Sequence, residues 1–157
     1  MNPLEIKLHG HRLKNPLLTA SGTFAYGIEA AKLQDTKAWG GLVSSAITLE
    51  PRAGNPLPRV AETASGMLNS VGLENPGLEV FSKEILPQMR ELTDFLVINL
   101  AGRTHDDYIA LVEGLAEATE KGLVDALELN LSCPNVRSGC MSIGTDAHEI
   151  GKIVQEI

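Results

Sequence analysis

Four short apolar runs punctuate this chain and decide what it can fold into: PLLTA (16–20), GGLVSSAI (40–47), DFLVINL (94–100) and DALELNL (125–131). Runs of this length with little polar alternation suit strands buried on both faces, as in a parallel sheet covered by helices. The segments between them carry helix punctuation. A polar helical stretch occupies about 28–37. Thr104 is placed to cap a helix, with Asp107 three residues on to complete a capping box and Gly122 to stop it. Inside that frame Tyr108, Leu111, Val112 and Leu115 keep the helical period. Asp146 and Glu149 repeat the box, and Ile150, Ile153, Val154 and Ile157 form an apolar stripe behind it. Ahead of the first run, EIKLHGHRLK alternates on both sides of His9-Gly10 and predicts a β-hairpin.

Strand and helix in alternation make an α/β protein with parallel strands. A (β/α)8 barrel takes ~250 residues and eight strands, whereas four strands are counted here in 157 residues. The expectation is therefore that residues 1–157 are the N-terminal half of one barrel domain, a hairpin followed by four β/α units, cut inside the helix after the fourth strand. A small doubly wound sheet would also use four strands, but it leaves the terminal apolar helix unexplained. One connection breaks the rhythm. Residues 48–77, TLEPRAGNPLPRVAETASGMLNSVGLENPG, show little periodicity and read as a long loop. Loops of such length are usually functional, and this one follows a strand's C-terminal end, the active face of β/α barrels.

Composition removes several function classes. A net charge of −7 with scattered Lys and Arg offers no phosphate-binding face, and aromatics at 4% offer no base-stacking platform. No apolar run reaches the ~20 residues of a membrane span, and the N-terminus lacks a signal-peptide core, so a cytosolic protein is expected. Two cysteines are too few for a disulfide scaffold, and His9, His11, His105 and His148 share no metal-ligand spacing with them. Neither G-x-G-x-x-G nor a Walker sequence occurs.

Candidate chemistry collects at strand ends: Ser21-Gly22, Ser44-Ser45-Ala46, Asn99, and Asn130 through Asn135 around Cys133, with Asn69 in the long loop. A hydrolase would place a histidine or acid beside its nucleophile, and none is near Cys133 in the sequence. Asparagine offers both a C=O acceptor and an NH2 donor. An array of such groups matches the alternating N–H and C=O edge of a cyclic ureide, an edge shared by pyrimidine-diones and flavins. The plainer alternative stays open: a strand-end Asn is commonly a turn residue, and a lone Cys commonly a buried hydrophobe.

The motifs NPLLTASGTF, TLEPRAGNPLPRVAETASGMLNSVGLENPG and ELNLSCPNV followed by GTD resemble the class 1 dihydroorotate dehydrogenases, from about residue 4 to the end. RVAETASGMLN and GTD resemble the class 1B, NAD-linked form; the fumarate-using class 1A form is a weaker match. The resemblance implies a (β/α)8 barrel holding FMN at the C-terminal ends of its strands. It implies a cytoplasmic enzyme that oxidises dihydroorotate to orotate in pyrimidine (UMP) biosynthesis. Electrons would pass to NAD through a partner subunit carrying FAD and a 2Fe-2S cluster, in a heterotetramer. It makes Cys133 the base that removes the C5 proton. It assigns Asn69, Ser70, Val71, Gly72, Leu73, Asn130 and Asn135 to the pyrimidine, and Ser21, Ser45, Ala46, Asn99 and Asn130 to FMN.

Two positions depart from the family pattern. Ser45 stands where the family has a lysine contacting flavin and substrate, with Arg137 as a candidate electrostatic replacement. A charge-assisted hydrogen bond contributes roughly 1.5–3 kcal/mol, so its loss could lower activity by one to two orders of magnitude. Cys140 stands where the family has the second of two glycines. Ser45 also suits a related flavin-dependent reductase of uracil-like rings, which bind without a carboxylate. A truncated chain with no activity of its own is the third reading.

Overall fold

The computed structural model describes residues 2–131 and 143–157. Its centre is a parallel sheet of three strands in the order β3 (Leu42–Val43), β6 (Leu96–Leu100), β7 (Ala126–Leu129). Leu42 pairs with Leu96, and Val97 to Leu100 pair with Ala126 to Leu129. The 16–20 run, expected as the first strand, meets this sheet through a parallel bridge from Leu18 to Gly41 rather than a strand ladder. Pro16, at its start, has no N–H to give. Thr19 adds its side chain to a long backbone bond to Gly41 (3.4 Å), its hydroxyl accepting from the Val43 amide at 2.8 Å.

Strand alternation sorts the sheet into two faces. Leu96, Ile98 and Leu100 point to the helix-covered face, where they pack with Phe81, Leu86, Met89, Leu111 and Leu115. Val43, Val97 and Phe95 point the other way and pack on Leu13. Leu13 belongs to the N-terminal hairpin, β1 (Ile6–Leu8) against β2 (His11–Leu13), which is antiparallel as the alternation predicts. The hairpin closes one end of that second face, and Asn99 and Glu128 occupy its strands further along.

The helix expected after Thr104 is α3 (His105–Glu120), with the Thr104 hydroxyl accepting from the Asp107 amide. Asp107 reaches back to the Arg103 amide at 2.8 Å, one residue before the cap. Tyr108, Leu111 and Leu115 are fully buried, and Gly122 takes the left-handed conformation (φ 70°) that ends a helix. Asp146 caps α4 (Ala147–Glu156) by accepting from the His148 and Glu149 amides. Of the predicted stripe Ile153 is buried, while Val154 and Ile157 are exposed.

Three further segments differ from the sequence reading. The stretch around 28–37 forms two 3-10 turns, Ala30–Lys32 and Thr36–Ala38. Residues 48–77 contain an antiparallel hairpin, β4 (Val60–Thr63) with β5 (Gly66–Asn69), exposed along both strands. A strand pair with no buried face has no need of apolar alternation, so the pattern hid it. A helical segment also precedes β6: α1 (Leu78–Val80), a π turn over Phe81–Ile85, and α2 (Leu86–Arg90). Pro87 cannot donate four residues back to Lys83, and the helix widens just before it.

Candidate functional site

The parallel strands all run toward one rim, and the predicted residues lie along it. Beyond β3 come Ser44, Ser45 and Ala46; Asn99 is the fourth residue of β6; Asn130 follows β7. A cleft of about 340 Å³ opens there, lined by Ser21, Gly22 and Thr23, by Ser45 and Ala46, by Asn69 and residues 71–74, and by Asn130. Its volume falls in the range of small-molecule sites. Four segments far apart in sequence thus meet around one space.

The outer wall is the end of the 48–77 connection, and its shape is over-determined. Gly72 (φ 82°) and Leu73 (φ 57°) are both left-handed. A Cβ on Gly72 would sit 2.7 Å from the Asn55 side chain and 2.8 Å from its backbone nitrogen, so only glycine fits. Buried Asn75 clamps the turn to the sheet. Its carbonyl oxygen accepts from the Thr48 and Gly77 amides, and its NH2 donates to the Leu73 carbonyl at 2.8 Å and to the Thr48 hydroxyl. Arg59 binds the Glu74 carboxylate, while its Nε donates to the Asn55 carbonyl at 2.6 Å. Its charge is therefore spent on the loop itself.

The inner wall is an amide network. Asn99 is almost completely buried. Its backbone N–H donates to the Ser44 hydroxyl at 3.0 Å and its carbonyl accepts from the Ile47 amide at 2.9 Å. The Asn99 side-chain NH2 donates to Glu128, its register partner on β7. The Asn130 NH2 donates to the Asn99 side-chain oxygen at 3.5 Å. Backbone bonds pin Asn130 on both sides: its N–H donates to Leu100 at 2.8 Å, and its carbonyl accepts from the buried Tyr108 hydroxyl at 2.6 Å.

Of the predicted site residues, Ser21, Ser45, Ala46, Asn69, Val71, Gly72, Leu73 and Asn130 line the cleft. Asn99 stands behind it and reaches it through Asn130. Ser70 turns aside, its hydroxyl accepting from Asn55 at 2.9 Å. Cys133, Asn135, Arg137 and Cys140 lie outside the described residues. Thr23 and Glu74 also line the cleft without having been singled out. Nothing in their local sequence distinguishes them from ordinary loop residues.

Electrostatically the cleft is spare. Among the described residues its lining includes one ionisable group, Glu74, and no lysine or arginine. Tyr26 lines an adjoining cleft that shares Ser45 and Glu74. Burial, and then the Glu74 carboxylate, pushes the Tyr26 hydroxyl up to about 12. That hydroxyl has no hydrogen-bond partner among the described residues. No cluster of potential metal ligands occurs among them either, and no described helix is long and apolar enough to cross a membrane. Hydroxyls and amides on a concave wall can orient a planar polar ring.

Comparison with known proteins bears on which ring. Residues 3–157 match the family model described as dihydroorotate dehydrogenase. A Listeria welshimeri protein named "Dihydroorotate dehydrogenase B (NAD(+)), catalytic subunit" is 45% identical over 160 residues, covering 100% of this chain and 52% of its own length. The Bacillus caldolyticus protein of the same name is 44% identical, covering 100% of this chain and 50% of its own length. The chain thus spans about half the length of the curated relatives it matches. A crystal structure of DHODH in complex with ferulenol from Eimeria tenella superposes with a TM-score of 0.74 at 21% identity, covering 98% of this chain and 42% of that one; it supports the fold alone. With the family match running almost from end to end, the chain belongs to the dihydroorotate dehydrogenase family.

Proposed function

We propose that this chain supplies the first four β/α units of a (β/α)8 barrel, residues 1–157 forming the N-terminal half of one FMN-binding domain. The barrel oxidises dihydroorotate to orotate in pyrimidine biosynthesis, in the cytoplasm. The observation that carries the reading is the convergence of Ser21, Ser45, Ala46, Asn69 and Asn130 on one cleft at the strand ends, with Asn99 behind.

The donor set fits a flavin and a pyrimidine. Ser45 and Asn130 offer hydroxyl and amide groups to a ring edge, and buried Ala46 offers a small apolar surface to its face. FMN, when bound, supplies the hydride acceptor. Ser21, Ser45, Ala46, Asn99 and Asn130 are the residues of this chain that hold it. Asn69, Ser70, Val71, Gly72, Leu73, Asn130 and Asn135 hold the substrate ring, Ser70 through the loop it braces. Cys133 takes the proton from C5 of dihydroorotate. A thiol with an ordinary pKa of ~8.5 can be drawn toward neutrality for such work. Like the relatives named as catalytic subunits, the protein would hand electrons to a second subunit, here one carrying FAD and a 2Fe-2S cluster, and so to NAD.

A second reading has a specific support. The described lining holds no lysine or arginine, with serine at position 45, so no cation among the described lining residues pairs with the substrate carboxylate. A carboxylate-free ring such as dihydrouracil fits that wall equally well. Anaerobic mixing of the flavin-loaded protein containing this chain with each substrate separates the two. Faster bleaching of flavin by dihydroorotate supports the first reading; faster bleaching by dihydrouracil overturns it in favour of the second.

A further inference from the structure

We infer that Glu128 is a positioning residue that sets the hydrogen-bond polarity of the cleft, so that Asn130 presents its side-chain carbonyl oxygen, an acceptor, to a ring N–H of the ligand. The inference rests on the proposed reading that Asn130 contacts a cyclic imide or ureide ring.

An amide side chain can face a neighbour through either end, and its surroundings decide which. A carboxylate accepts hydrogen bonds and cannot donate them, so only an NH2 can face it. Glu128 sits directly across from Asn99 in the β6–β7 register and accepts from the Asn99 NH2. That contact settles Asn99: its oxygen must point the other way, where it accepts from the Asn130 NH2 at 3.5 Å. Asn130 is settled in turn. Its NH2 is turned inward, and its side-chain oxygen accepts no bond among the described residues. Asn130 lines the cleft, so that oxygen is the group it offers there.

Both amides are held so that the relay cannot relax by backbone movement. Asn99 is bonded through its N–H to Ser44 and through its carbonyl to Ile47; Asn130 is bonded to Leu100 and Tyr108. Glu128 itself does not line the cleft. It lies two residues before Asn130 on the same strand face and acts only through Asn99. Without it both Asn99 and Asn130 can turn, and the cleft no longer favours a ring donor over a ring acceptor.

A ring N–H of this kind occurs on a flavin and on a pyrimidine-dione, so the test has two arms. In the first, cofactor-free protein containing this chain is titrated with FMN and with FMN methylated at its imide nitrogen. In the second, FMN-loaded protein is titrated with orotate and with orotate methylated at each ring nitrogen. Each arm is run on the parent, on Glu128→Leu and on Glu128→Gln, with circular dichroism confirming that the variants fold. The parent is expected to prefer the unmethylated ligand by about tenfold or more in one arm, the worth of one buried hydrogen bond. Glu128→Leu should shrink that preference to about threefold or less, and Glu128→Gln, which keeps an acceptor, should fall between. A purely structural role for Glu128 would weaken both ligands equally and leave their ratio unchanged, which would overturn the inference. Orotate failing to bind the parent while FMN selectivity still depends on Glu128 would refute the dihydroorotate reading and keep this inference for the flavin ring. A parent that binds neither ring overturns both.

Discussion

Replacing Asn75 with alanine should loosen the outer wall of the cleft. Asn75 is buried and serves the Thr48 N–H, the Gly77 N–H and the Leu73 carbonyl, three backbone groups that have to be satisfied in the folded loop. A net loss of ~1 kcal/mol for each gives ~3 kcal/mol for Asn75→Ala. That corresponds to about a hundredfold increase in the opening equilibrium of the loop. Asn75→Asp keeps both acceptor bonds but sets a carboxylate oxygen against the Leu73 carbonyl in a buried site, so it should open the loop as well. Native-state hydrogen exchange of the Thr48 and Gly77 amides reads this directly, and it detects local opening that a global melt would miss. Leu73 and Glu74 line the cleft, so orotate affinity should fall together with amide protection in both variants. Unchanged protection of both amides in Asn75→Ala would refute the reasoning. It would mean that the Arg52–Asn75 backbone bridge and Arg59 hold the loop without the clamp.

Three further outcomes follow from particular contacts. Tyr26→Phe removes a buried hydroxyl that has no partner among the described residues and should raise the unfolding free energy by up to ~1 kcal/mol; a loss of more than that in urea denaturation would reveal a bond to that hydroxyl. Ser45→Lys places a cation on a cleft wall that has none among the described residues and should raise kcat/KM for dihydroorotate by roughly ten- to a hundredfold; an unchanged or lower value refutes the idea that a carboxylate partner is missing. A hydrogen bond from Lys14, more than its charge, holds the Asp94 carboxyl below the usual carboxylate range. The contribution to stability is therefore present above the unfolded aspartate pKa and is lost as pH falls through the lower folded value. Lys14→Met should return Asp94 to an ordinary titration by NMR, and an unmoved midpoint would rule out that pairing.

Much of this architecture is legible in the sequence. The runs at 40–47, 94–100 and 125–131 each hold a strand of the central sheet, because burial on both faces demands continuous apolar residues. Thr104 and Asp146 cap the helices they were expected to cap, since a side-chain acceptor at that position answers an orphan N–H whatever the tertiary context. The β4–β5 hairpin was illegible because it buries neither face. The α1–α2 segment had a readable period in Leu78, Phe81, Ile85 and Met89, masked by Pro87. The expected lining came from resemblance as much as from chemistry, and the cleft brings most of it together. The roles of Asn75 and Glu128 depend on partners 27 and 29 residues away, a distance no local pattern spans.

The most direct test of the whole account is the rate of flavin reduction in a single turnover. Flavin-loaded protein containing this chain is mixed anaerobically with dihydroorotate in the parent and in Cys133→Ala, with orotate affinity measured on both. The account predicts unchanged FMN content, orotate binding within a few-fold, and a reduction rate at least a hundredfold lower in the alanine variant, within the ~10²–10⁴ range of acid–base groups. Near-parental reduction by Cys133→Ala would contradict it, because the proton would then be leaving by a route that does not use this thiol.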